Sequence, residues 1–140
     1  AQAIYDSAQI YRDIDRRSRR TGEKDAAQNA REQARNLLLR IVLLYSQARF
    51  SPLPQLAHLD LAELSLIEDD KQKAIKTLSE LAEQYKDEPY ANYAKAIIML
   101  QQNKSNDARV LLKQAQKVEG VDRRLADRIV AQLKSVGAAP

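Results

Sequence analysis

The chain has 140 residues, which suits one domain that buries roughly two thirds of the surface exposed by the unfolded chain. Helix-favouring residues are abundant and there are only 3 Gly and 4 Pro, so the composition predicts an all-α fold. The absence of Cys excludes disulfides, thiol nucleophiles and thiolate metal ligands.

The formal net charge is +4, and the whole excess lies in the first part of the chain. Residues 1–50 carry 10 basic and 6 acidic side chains, whereas residues 51–140 carry 13 of each. Such asymmetry can mark an anionic partner, but the surplus is small for the basic stripe that nucleic-acid binding requires.

Two long helices are predicted first. The first runs from about Gln2 to Arg20 and ends at Thr21-Gly22, and the second runs from about Glu23 to Arg49, before the proline-containing segment 50–54. Apolar residues at three- and four-residue steps share one face of a helix. In the first helix these are Ile4, Ala8, Tyr11 and Ile14. In the second helix the predicted buried stripe is Ala27, Ala30, Ala34, Leu37, Leu38, Ile41, Leu44, Tyr45 and Ala48.

Five shorter helices follow in the prediction. Asp70 and Ser105 are natural N-caps, and Asp122 is a plausible cap for a terminal helix with a polar outer side. The expected segments are Gln55–Ile67, Asp70–Gln84, Pro89–Gln102, Ser105–Lys117 and about Asp122–Val136.

Residues 55–88 and 89–122 superpose at a spacing of 34 residues. A fixed period of this length, made of two helical patterns, is typical of helix-hairpin repeats that bury their apolar faces against their neighbours. Alanines at matching places would let the helices cross closely. The coinciding pairs are Ala57 with Ala91, Ala62 with Ala96, Leu66 with Leu100, Ala74 with Ala108 and Leu78 with Leu112.

These paired positions resemble the tetratricopeptide repeat superfamily over about half the chain. The resemblance implies a right-handed α-solenoid of antiparallel hairpins with about seven helices in a single domain, 1–140. Its parts would be an atypical helix pair (1–50), two repeats (55–88 and 89–122) and a capping helix (122–136). The chain departs from the family where Asp69 and Asn103 stand in place of the glycine between hairpins.

The phrase Tyr85-Lys86-Asp87-Glu88-Pro89-Tyr90-Ala91 is similar to a junction seen in bacterial envelope proteins of this superfamily. Those proteins include outer-membrane assembly lipoproteins and the ancillary translocon subunit. The resemblance favours the bacterial periplasm or envelope over the cytoplasm. No secretory signal and no membrane span are expected within the chain, and because it begins at Ala1 rather than Met, an upstream signal or anchor is left open.

In this superfamily, ligands lie in a concave groove lined by the first helix of each hairpin. Carried over by position, the lining would be Leu59, Glu63, Leu66, Ile67, Tyr90, Tyr93, Ile97 and Gln101. These residues lack the Lys and Asn of the family's carboxylate clamp, and an apolar groove with tyrosines suits an amphipathic helix or a hydrophobic peptide. The alternative is that the first two helices simply cover these residues.

A cluster of arginines on the first helix offers a second candidate site. Arg12, Arg16, Arg19 and Arg20 could contact an anionic partner. The pairs Asp13–Arg17 and Asp15–Arg19 are spaced for neutralisation within the helix, which favours a solvated face instead.

No catalytic, cofactor or metal site is expected. His58 is the only histidine, and one imidazole near Asp60 does not make a metal site or a catalytic relay. The sequence therefore predicts a non-catalytic interaction module or scaffold that binds a peptide or helix of a protein partner. The alternatives are a self-association domain that forms a homodimer through the second helix, and an adaptor for anionic surfaces or nucleic acid.

Overall fold

The computed structural model describes residues 1–45, 51–85 and 89–137. These residues form seven α-helices and no strand. No helix among them is both long enough and apolar enough to span a membrane. The helices are α1 (Gln2–Arg20), α2 (Lys24–Tyr45), α3 (Leu53–Ile67), α4 (Lys71–Gln84), α5 (Pro89–Gln101), α6 (Ser105–Gln116) and α7 (Arg123–Ser135).

The chain divides into two compact units, residues 1–69 and 70–140. In the first unit, α1 packs on α2, and α3 packs on both. In the second unit, α5 packs on α4 and α6, and α6 packs on α7. The boundary between Asp69 and Asp70 falls inside the predicted repeat 55–88, and the organisation as a single domain stays a prediction.

The fully buried side of α1 is partly polar. Tyr5, Ala8, Arg12, Asp15 and Ser18 are buried, whereas Ile4, Tyr11 and Ile14, which share one face with Ala8, are half-buried. Because the interior of this unit includes charged side chains, the apolar periodicity of α1 does not by itself locate its buried side.

The alanine-lined half of α2 is buried as expected. Ala27, Ala30 and Ala34 are at most 5% exposed, and the buried stripe continues through Leu38 and Ile41. Small side chains on this stripe allow α1 and α3 to approach α2 closely.

Part of the predicted stripe on α2 is not buried. Leu44 is 66% exposed, and Leu37 and Tyr45 are half-buried. Ala48 and the predicted helix end at Arg49 lie outside the described residues. From Leu37 to Tyr45 every residue of α2 except Arg40 is apolar, and the described part of the chain buries only some of them.

Two of the three predicted N-caps are confirmed. The Asp70 carboxylate accepts a hydrogen bond from the backbone N–H of Lys73 at 3.1 Å, which satisfies one free donor of α4. The N-cap of α6 is Lys104 rather than Ser105, and no side chain caps this helix.

Asp122 caps α7 and also binds the neighbouring arginine. Its Oδ1 accepts from the Arg124 backbone N–H at 2.9 Å and from Arg124 Nε at 3.0 Å. The side-chain hydrogen bond from Arg124 lowers the pKa of Asp122. Partial burial raises the pKa of Tyr85 at the end of α4.

The matching positions of the 34-residue period have matching burial. Ala62, Ala74, Ala96 and Ala108 are at most 2% exposed, and Leu78 and Leu112 are at most 1% exposed. Ala57 and Ala91 are fully buried. The small residues that define the period therefore lie in the interior.

The two turns at the ends of α3 and α5 each contain a residue with a positive φ. Asp69 has φ of 59° and Asn103, 34 positions later, has φ of 61°. The Asp69 N–H donates to the Leu66 carbonyl at 3.1 Å, and the Asn103 N–H donates to the Leu100 carbonyl at 3.2 Å. Asp and Asn tolerate this left-handed conformation better than most residues, which explains how they replace glycine here.

Candidate partner-binding surface

A buried ion pair joins α1 to α3. Arg12 Nη1 lies 2.9 Å from Asp60 Oδ1, and these residues are 6% and 0% exposed. Arg12 Nη2 also donates to Glu63, and Gln9 Nε2 donates to Asp60 Oδ2 at 2.7 Å. Two carboxylates thus hold the guanidinium within the unit, and the Gln9 amide satisfies the second oxygen of Asp60, which compensates for the loss of water around these charges.

A second set of charges joins α1, α2 and the end of α3. Asp15, which is 1% exposed, lies 3.1 Å from Arg19 Nε and 3.3 Å from Arg31 Nη2. Glu68 at the end of α3 pairs with Arg31 at 3.8 Å and also with Arg35. Much of the arginine excess of residues 1–50 is therefore neutralised by acidic residues of α1 and α3.

These contacts correct the proposed anionic-partner site at Arg12. A guanidinium that is buried and bound to Asp60 and Glu63 is not available to a partner. Arg16, Arg19 and Arg20 are exposed, and the first two pair with Asp13 and Asp15, respectively.

The predicted intrahelical pairs of α1 have mixed outcomes. Asp15–Arg19 is confirmed. Asp13 pairs with Arg16, three residues later, rather than with the predicted Arg17, four residues later. Both pairs reduce the charge that this face of α1 offers to an anionic ligand.

The α3 members of the predicted groove differ in burial. Leu59 is 2% exposed, so its side chain lies in the core and is not accessible to a partner. The Glu63 side chain is 39% exposed and is bound to Arg12, and Leu66 and Ile67 are half-buried. For α3, the groove stays a prediction at Glu63, Leu66 and Ile67.

Most α5 members of the predicted groove are buried. Tyr90, Tyr93 and Ile97 are 6%, 3% and 8% exposed, which corrects their assignment to an open surface. Gln101 is half-buried and stays a prediction. The physical reason is that three large side chains supply apolar area that the second unit needs for its own core.

His58 is 7% exposed and lies on the buried helix α3. In the described part of the chain, no group of three or more His, Cys, Asp or Glu residues is arranged to hold a metal ion. The environment of His58 is therefore that of an interior residue.

The C-terminal half of α2 presents three large apolar side chains to solvent. Leu39, Leu43 and Leu44 are 42%, 77% and 66% exposed, and the exposed Arg40 lies among them. We call these four residues the leucine patch. Helical spacing places Leu43 on the side of α2 opposite the buried Leu38 and Ile41, with Leu39 and Leu44 on its two flanks.

The leucine patch is not among the sites predicted from the sequence. The apolar run Leu37–Tyr45, interrupted only by Arg40, contains the signal. Such a run has more apolar residues than one narrow helix stripe, so some of them can lie outside the buried side. The periodicity did not show which leucines would be left outside.

Comparison with protein-family models, with curated proteins and with solved structures found no match for this chain.

Proposed function

We propose that this chain is a non-catalytic protein–protein interaction module that binds a peptide or helix of a partner in a larger assembly. The main support for the proposal is the leucine patch, because its three leucines are exposed to solvent while the other exposed residues of α2 are mostly polar. Clustered exposed apolar residues are typical of interaction sites, whereas single ones are ordinary.

Burial of these leucines would favour the binding of a partner. Full burial of an exposed leucine side chain is favourable by about 1.5–3 kcal/mol, and a partly exposed leucine gains a fraction of that. Leu43 and Leu44 have the most to gain, because they are the most exposed of the three. A small number of such anchors typically dominates the affinity of an interface.

A stack of antiparallel hairpins of the tetratricopeptide type is the architecture that we propose for the module. Its support is the shared 34-residue period of buried alanines and of the left-handed turn residues Asp69 and Asn103. In such a stack each hairpin leaves faces for a neighbour or a partner.

Self-association is the second candidate, because the same patch could pack against a second copy of α2. A two-fold dimer uses one surface twice, so a single exposed face is sufficient. Light scattering across a dilution series separates the two candidates. A molar mass that doubles at high concentration, and that Leu43→Glu returns to the monomer value, supports the dimer.

The interaction proposal is tested by affinity capture from a lysate of the source organism. Wild type is compared with Leu43→Glu and with Val110→Glu, which changes an apolar residue of similar exposure on α6 (56%). The expected result is one protein that wild type and the Val110 variant recover equally and the Leu43 variant loses. Equal recovery by all three contradicts the proposed surface.

A further inference from the structure

The leucine patch carries a charge that nothing in the described part of the chain balances. Arg40 is exposed and makes no ion pair there, unlike Arg31 and Arg35 on the same helix. The preceding acid on α2, Glu32, is already paired with Arg35. From Gln33 to Leu59 the sequence contains no Asp or Glu at all.

We propose that the leucine patch binds an acidic amphipathic helix of another protein, an inference that rests on the proposed function. The apolar side of the helix packs on Leu39, Leu43 and Leu44, and one of its carboxylates faces Arg40. Leu39 and Leu43 are one helical turn apart, so an occupant with apolar residues at three- and four-residue steps can pack along them.

The positive charge of Arg40 disfavours a second copy of this chain as the partner bound at the leucine patch. A two-fold contact centred on the patch places Arg40 of each copy near the same surface of the other, where residues 33–45 supply no carboxylate. An unpaired guanidinium would then be desolvated without compensation, which costs free energy. A partner that brings its own carboxylate removes this cost.

The small number of free basic residues at the patch also disfavours a membrane surface as its binding partner. Binding to anionic lipid typically relies on a cluster of about four to eight Lys or Arg residues beside the apolar face. The patch has only Arg40, and the arginines that precede it on α2 are engaged by Asp15, Glu32 and Glu68. One arginine among leucines fits a single carboxylate better than a lipid surface.

The test uses two synthetic helical peptides with the same leucine stripe. One carries Glu beside the stripe and the other carries Lys at the same places, and binding is followed by fluorescence anisotropy. Wild type should bind the Glu peptide at least about tenfold more tightly than the Lys peptide, since an interfacial charge pair is worth that much or more. Arg40→Glu should reverse this order, and Leu43→Asn should weaken both peptides.

Ile10→Asn is the matched control, because Ile10 is an exposed apolar residue (60%) on α1 and outside the patch. It should leave both affinities unchanged. Vesicles containing anionic lipid are tested alongside, and light scattering is recorded at the same concentrations. Binding to vesicles but not to peptides would contradict the proposal that the patch binds an acidic helix. A dimer that Leu43→Asn abolishes would contradict it as well.

The acidic-helix proposal is also contradicted if wild type binds the Glu and Lys peptides with equal affinity. The same holds if Arg40→Glu still binds the Glu peptide more tightly than the Lys peptide. The outcome of affinity capture separates this failure from failure of the proposed function. If capture still depends on Leu43, the patch binds a partner of another chemistry. If capture is also independent of Leu43, both proposals fail.

Discussion

Arg12 on α1 and Asp60 on α3 form an ion pair of 2.9 Å in the interior of the first unit. They are far apart in sequence, and Gln9 and Glu63 add hydrogen bonds to Asp60 and Arg12, respectively. The pair therefore fixes how the N-terminal helix packs on α3. It also shows that part of the N-terminal arginine excess is structural.

The first prediction concerns this pair. Asp60→Ala should destabilise the protein by about 3–5 kcal/mol, because it leaves a buried guanidinium with an incomplete set of partners. Chemical unfolding followed by circular dichroism measures the change. The double variant Arg12→Met with Asp60→Leu should recover most of the loss, since an apolar pair needs no compensation.

The matched control for this prediction is the exposed pair Asp13–Arg16 on the same helix. Asp13→Ala should change the stability by less than about 1 kcal/mol, as is usual for a solvated ion pair. Equal losses from Asp13→Ala and Asp60→Ala would show that burial of the Arg12–Asp60 pair is energetically unimportant.

The second prediction tests the equivalence of the two repeats. Ala62→Leu and Ala96→Leu should each destabilise the protein by about 1–3 kcal/mol, because both positions are buried and a larger side chain would have to displace its neighbours. Thermal unfolding measures the effect. Ala131→Leu, at an exposed position of α7, should cost less than about 0.5 kcal/mol. A tolerated leucine at either buried position contradicts close helix packing there.

The third prediction concerns the turn between α5 and α6. Asn103 has a positive φ, which a β-branched residue adopts only with strain. Asn103→Val should destabilise by about 1–2 kcal/mol, whereas Asn103→Gly should be neutral or stabilising. The two variants are compared by urea denaturation. The same stability for both would mean that the left-handed turn is not maintained in solution.

The fourth prediction concerns pH and the N-cap of α7. The pKa of Asp122 is lowered in the folded protein by the hydrogen bond from Arg124. Its carboxylate therefore stabilises the fold above the unfolded-state pKa, and this contribution is lost as the pH falls through the lowered folded-state pKa.

Asp122→Ala should cost about 0.5–2 kcal/mol at neutral pH through loss of the cap. The difference from wild type should shrink as the pH falls below about 4, where the unfolded-state carboxyl takes up its proton. Urea unfolding at a series of pH values measures it. A difference that stays constant down to strongly acidic pH would exclude a contribution from the Asp122 charge.

Much of the local structure follows from the sequence. Gln2–Arg20 is the predicted first helix, and Lys71–Gln84 begins after the predicted cap at Asp70. These features depend on residues close together in the chain, namely a capping side chain, a breaker or a periodic apolar stripe. Local patterns of this kind can be recognised without knowledge of the fold.

The candidate sites were less accessible to sequence reasoning. Burial of Arg12 depends on Asp60 and Glu63, which lie on another helix about 50 positions away. Exposure of Leu43 depends on which side of an apolar helix the core occupies. Both outcomes are set by packing between distant segments, and no local pattern encodes them.

The most direct test of the interaction surface is site-specific photo-cross-linking in living cells of the source organism. A photoreactive residue is placed at position 43, and at position 110 as the exposed control. We expect a cross-linked adduct with a different protein from position 43 and none from position 110. No adduct at position 43, or an adduct with a second copy of the chain alone, would contradict it.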